Sequence, residues 1–232
     1  MIANQLSLTP KQVDSFDRFL VEGTGSTLDA LETMFGLNVD SSASSIEIAP
    51  STNSENLKHL GSGPLYVVSS ALVGDLQGKI LLLMRLVDFE YLSEVMRPIL
   101  SLLFLCSPDS DLEQLNRQML ECIQDSGAQD SDEIVFHAQM MDTLAEMGNV
   151  LIGLYSKAIY NICDLNTHHS LPFALRDPDQ RLMQRVLSSP EASDQSYLVI
   201  ENEFVVMDRP IKLWCLISPT QDSFQDILAR IE

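Results

Sequence analysis

Apolar positions recur at helical spacing over residues 10–35, with Thr9 and Pro10 before them and Gly36 after. A capping hydroxyl, a proline in the first turn and a glycine past the last are helix start and stop signals. The pattern therefore predicts a first long helix there. Residues 40–56 are rich in Ser and Asn and hold one short alternating strand, 46–49. Gly61 to Pro64 read as a loop. Apolar runs at 65–73 and 79–86 flank Gly74-Asp75-Leu76-Gln77-Gly78 and predict a hairpin. A helix is expected from Asp88 to Met96, disturbed at Pro98. Residues 99–127 read as a helical connector, apolar at first and then acidic, with Pro108 between the two parts. A second long helix is expected over 131–161. After it come a strand near Ile162, a loop at 168–172 and a helical stretch at 178–187. Strands at 197–207 and 211–217 follow, with Asp208-Arg209-Pro210 as their turn, and then a last helix at 222–231.

The order of elements repeats: long helix, strand, hairpin, helix. Tyr66-Val67-Val68 answers Tyr197-Leu198-Val199, and the run 79–84 answers 211–216, each about 131 residues on. Few letters match, so it is the element order that implies duplication. The expected fold is α/β (α+β), two long helices on one shared sheet. The expected organisation is a single domain of two halves, 1–97 and 129–232, joined by the connector 98–128.

Composition narrows the partners. The chain has 232 residues, 45% hydrophobic, with a formal net charge of −19. Such a charge repels nucleic-acid phosphates and anionic membrane surfaces. The longest apolar run, 99–106, is too short to span a bilayer. Residues 1–11 lack the charged start and apolar run of a signal peptide. Cys106, Cys122, Cys163 and Cys215 form no CxxC pair and lie in apolar surroundings, which implies reduced thiols and a cytoplasmic location.

The second long helix carries Asp142, Glu146 and Asn149 at i, i+4 and i+7. At about 100° per residue they fall within a sector of roughly 60°. Leu144, Met147, Leu151, Leu154 and Ala158 make an apolar stripe on the other side, a core face. Glu146 and Asn149 should therefore point outward. Gly153 lies on their side, one turn on. A glycine inside a helix costs about 1 kcal/mol relative to alanine, and close approach of another group to the backbone would account for it. Pro172 follows Asn149 after 22 intervening residues.

Asp142, Glu146, Asn149 and Pro172 together resemble the motif of the CheC/CheX/FliY phosphatases of chemotaxis: Asp/Ser, three residues, Glu, two residues, Asn, about 22 residues, Pro. The duplicated element order is also similar to that family. The first half departs from the motif. Glu22 holds the place of Glu146, Gly25 that of Asn149 and Arg18 that of the leading Asp/Ser, while Pro50 comes two residues late. The resemblance implies one intact site and a degenerate first one, with Glu22 a solvated remnant.

It further implies hydrolysis of the phospho-aspartate of a CheY-type response regulator in two-component signalling. Glu146 would dock the regulator's lysine and Asn149 would orient the attacking water, with Asp142, Gly153 and Pro172 supporting. No cofactor of its own is implied, since Mg²⁺ belongs to the regulator. The competing reading is a non-catalytic regulator-binding or flagellar-switch-like adaptor. A metal hydrolase has less support: His168 and His169 are adjacent, with His137 and Asp164 elsewhere, and no HExxH or CxxC motif exists. The apolar segment 99–105 either packs internally or forms a homodimer contact.

Overall fold

The computed structural model describes residues 3–4, 8–36, 38–50, 63–105, 131–177, 180–181 and 196–231. Expectations for 51–60, 106–127 and 182–187, together with Cys106, Cys122 and Pro108, fall outside these residues.

Helix α1 spans Pro10–Phe35. The Thr9 hydroxyl accepts from the Gln12 amide, and the Gln12 side chain accepts from the Thr9 amide at 2.9 Å, a capping box. Gly36, at φ 62°, closes the other end. Strands β1 (Ala3–Asn4) and β2 (Val39–Pro50) flank it in sequence. β2 is three times as long as the strand expected there, its ladder with β7 running on through Ser41, Ser44 and Ser45. The hairpin of β3 (Leu65–Gly74) and β4 (Gly78–Arg85) forms as the pattern predicts. Helix α2 (Leu86–Leu105) runs on past Pro98. A proline removes one backbone hydrogen bond, and here the helix continues without it.

Helix α3 spans Ser131–Cys163 and includes Ile162, where a strand was expected. Asp164, at φ 52°, ends it. The strands that follow are β5 (Thr167–His169) and β6 (Phe173–Asp177). A second hairpin, β7 (Ser196–Val206) and β8 (Arg209–Pro219), turns at Met207-Asp208. Both turn residues have positive φ, 47° and 66°, the handedness that matches strand twist. Arg209 and Pro210 are therefore in β8, not in the turn. Helix α4 (Gln221–Arg230) ends the described chain.

The strands form one mainly antiparallel sheet in the order β1-β2-β7-β8-β4-β3-β5, with β6 also on β3. The two hairpins meet along β4 and β8, where Leu82 faces Cys215 and Leu83 faces Trp214. Each long helix is followed by a strand that pairs with the other half's hairpin: β2 with β7, and β5–β6 with β3. The duplication is thus a reciprocal exchange of strands.

Strand faces correct the register of the repeat. Tyr66 and Val68 share the core under the helices with Leu198 and Ile200, whereas Tyr197 belongs to the cluster on the opposite face. Leu198, not Tyr197, answers Tyr66. The place of Pro172 is likewise held by Ser44, next to the bulge at Ser41/Ala43 in β2. Pro50 pairs with Ser196 at the strand end and is not its counterpart.

Helices α1 and α3 pack together on one face. Leu144, Met147, Leu151 and Ala158 are buried there, and Leu154 packs against them. Gly148 lies tight against the sheet. A Cβ on it would stand 2.4 Å from Val68 Cγ1. Gly148→Ala should destabilise the fold by about 1–2 kcal/mol, overpacking outweighing the gain in helix propensity. Urea midpoints should show this, and adding Val68→Ala should restore part of the loss in helix–sheet packing.

Beneath the helices lies a buried polar chain. Thr24 Oγ1 donates to Asn202 Oδ1 at 2.8 Å, and Asn202 Nδ2 donates to the Tyr155 hydroxyl at 2.7 Å. Burial lifts the Tyr155 hydroxyl far above the usual tyrosine range. Burial also pushes the Cys163 thiol up to about 11 and raises that of Cys215. Both thiols are free and buried, as their apolar surroundings implied. The unfolded chain sheds these protons from about pH 9 upward while the native protein keeps them, so it binds fewer protons there. Stability should accordingly be insensitive to these groups below pH 8 and fall as pH rises past 9. Denaturant midpoints at pH 7, 9 and 10 check this.

Candidate functional site on the second long helix

The outward stripe on α3 is as its spacing predicts. Asp142 and Glu146 are exposed and Asn149 is half-buried. Among the described residues, no hydrogen bond or ion pair engages these three side chains. Val150, 41% exposed, lies between Glu146 and Gly153 on this side. Asn149 sits on the edge of the stripe nearest Gly148 and Ile152, the edge that rests on the sheet. A carboxylate and a carboxamide are thus held on a rigid helix and left available to a partner.

Pro172 is brought to the same region by topology. Helix α3 lies across β5 and β6, and Pro172 is half-buried in the short link between these strands. That link is firmly tied to β3. The Ser170 amide donates to the Ala71 carbonyl at 2.9 Å, and the Ala71 amide donates to Ser170 Oγ at 3.1 Å. Ser70 Oγ donates to the Ser170 carbonyl at 2.7 Å. Pro172 therefore belongs to a stiff platform beside the helix.

Gly153 is half-buried. A Cβ there would meet only His169 Nε2, at 3.5 Å, an ordinary contact. Nothing within the described chain demands a glycine at this point, in contrast to Gly148. His169 is the residue that sequence reasoning left out of the site. Its signal was strand alternation: β5 pairs His168 with Val73 and His169 with Leu72. Leu72 is in the core under α3, so the two histidines face opposite sides of the sheet. They do not share a ligand, and no metal-binding group of three His, Cys, Asp or Glu exists among the described residues.

The first-half counterpart differs in a way not expected. Glu22 is half-buried and accepts a hydrogen bond from Asn161 Nδ2 on α3. It makes an interhelical contact at the surface. Gly25 is exposed, with open space where a Cβ would be. Arg18 donates to Ser15 Oγ at 3.0 Å.

No protein-family model and no curated protein sequence matches the chain. Solved structures do. The FliY of Thermotoga maritima matches at TM-score 0.59 and 16% identity, over 97% of this chain and all of that one. FliM of H. pylori in a FliM–SpeE complex matches at TM-score 0.55 and 9% identity, over 97% and 96%. FliM in a FliG–FliM complex of the same species matches at TM-score 0.55 and 9% identity, over 96% and 100%. The chain therefore has the FliY-type fold, the mixed α/β architecture on one mainly antiparallel sheet that its element order implied. It shares this architecture with FliY and FliM. No helix among the described residues is long and apolar enough to cross a membrane.

Proposed function

We propose that the chain hydrolyses the phospho-aspartate of a CheY-type response regulator at the α3 stripe. The observation that supports this reading is Glu146 and Asn149, on the outward side of one rigid helix that crosses the β5 and β6 strands flanking Pro172, in a fold shared with FliY. The Glu146 carboxylate binds an ammonium group of the regulator and sets the register of docking. The Asn149 amide enters the regulator's site, where its oxygen accepts from a water and aims it in line at phosphorus. The water oxygen bonds to phosphorus as the bond to the aspartyl oxygen breaks. The regulator regains its carboxylate and inorganic phosphate leaves. An acyl phosphate has a good leaving group, so positioning supplies most of the acceleration. The magnesium ion of this reaction belongs to the substrate.

A second reading has its own support. FliM, at TM-score 0.55 against 0.59 for FliY, is solved in complexes with other proteins. The chain is then a non-catalytic adaptor that binds the regulator through the same stripe. Decay of radiolabelled phospho-CheY, alone and with the protein, separates the two. Faster decay with the protein supports the phosphatase; unchanged decay with measurable binding supports the adaptor.

A further inference from the structure

His169 is the side chain of β5 that faces α3. Its Nδ1 lies 3.1 Å from the Ser170 carbonyl oxygen. A carbonyl can only accept, so Nδ1 carries the proton of that bond and Nε2 of the neutral ring presents a lone pair. That Nε2 lies 3.5 Å from the point where a Cβ on residue 153 would stand. Gly153 is about one helical turn beyond Asn149 on the same stripe. An alanine methyl at 153 would fit, but it would stand in front of the lone pair. The three hydrogen bonds between Ser170 and the 70–71 segment of β3 hold the ring's own segment in place. The imidazole is half-buried, not sealed in the core.

We propose that His169 is a recognition residue of the α3 site. Its Nε2 accepts a hydrogen bond from an N–H or O–H donor on the docked regulator, and Gly153 keeps that lone pair within reach. This explains a helical glycine that no contact within the described chain requires. It also defines the chemistry of the partner surface. Two acceptors, Glu146 and His169, flank the Asn149 amide, so the surface that fits them presents donors beside its phosphoryl group. The inference rests on the proposal that a regulator docks on α3.

Binding of beryllofluoride-activated CheY and hydrolysis of phospho-CheY are measured for wild type, Asn149→Ala, Gly153→Ala and three His169 variants. His169→Ala and Gly153→Ala should each weaken binding and raise KM about fivefold, the loss of one hydrogen bond, with kcat within twofold. The double variant should be no worse than either single one. His169→Gln, whose side-chain amide reaches the place of Nε2, should recover most of the binding; the shorter His169→Asn should not. Equal behaviour of the Gln and Asn variants would overturn the assignment. So would losses that multiply in the double variant, or a fall in thermal midpoint that tracks the loss of binding. If Asn149→Ala abolishes turnover while the His169 variants bind as wild type does, only the assignment of His169 fails. If wild type does not hasten decay but binds, the phosphatase reading fails and the binding series still decides on His169. If wild type does not bind activated CheY, both fail.

Discussion

Asn149→Ala should lower the catalysed rate of phospho-CheY hydrolysis about a hundredfold while leaving KM within about twofold. The amide is useful only as the reaction proceeds, when the water must lie in line with the breaking bond. Its removal therefore acts on turnover and leaves docking largely intact. A neutral amide also adds no charge next to the phosphoryl group, so Asn149→Asp should be no better than alanine. It would place an anion against the phosphoryl dianion. Glu146 has the opposite profile. Its carboxylate is exposed on the helix and is assigned to docking, so Glu146→Ala should raise KM several-fold with a smaller effect on kcat. Steady-state rates over a range of phospho-CheY concentrations separate the two. Loss of kcat in the Glu146 variant, with Asn149→Ala unchanged, would reverse the assignments.

Asn202→Ala should destabilise the protein by about 3–5 kcal/mol. Asn202 is fully buried and bonds Thr24 of α1 on one side and Tyr155 of α3 on the other. Truncation strands the Thr24 hydroxyl and takes from the Tyr155 hydroxyl the donor it has besides Thr27, at about 1–3 kcal/mol each, and opens a cavity besides. Leucine would fill the space but satisfy neither hydroxyl, so Asn202→Leu should recover only part of the loss. Adding Thr24→Val and Tyr155→Phe to Asn202→Leu removes the stranded groups and should bring stability back toward wild type. Equilibrium unfolding in urea gives all four values. Because Asn202 joins both long helices to β7, its loss should also loosen the platform beneath α3. Turnover should then fall more steeply with temperature than in wild type.

The elements around the site were legible because each rests on local rules. Thr9, Pro10 and Gly36 bound α1 as capping chemistry requires. The apolar stripe at Leu144, Met147 and Leu151 determined which way Glu146 and Asn149 face, since a helix has one period and one buried side. The hairpins and their pairing within each half followed from alternation, helped in the first by its glycine-bounded loop. What local pattern could not reveal was anything settled by pairing across the chain. Strand alternation repeats every two residues, so a match of letters such as Tyr66 with Tyr197 can be one residue out and invert the face. Only the ladder between β4 and β8, and the exchange of β2 and β5–β6 between halves, established that Leu198 answers Tyr66 and Ser44 answers Pro172. Ile162, likewise, continues α3 and packs against the core under the helices. The site divides along this line. The order of residues along α3 by itself determined an outward carboxylate and carboxamide. Tertiary structure alone brought His169 against Gly153, set α3 across the strands that flank Pro172, joined Glu22 to Asn161 and distinguished Gly148, which the sheet requires, from Gly153, which it does not. Spacing along one helix is a short-range property carried in the chain, whereas contact between helix and strand depends on which strand the sheet places underneath.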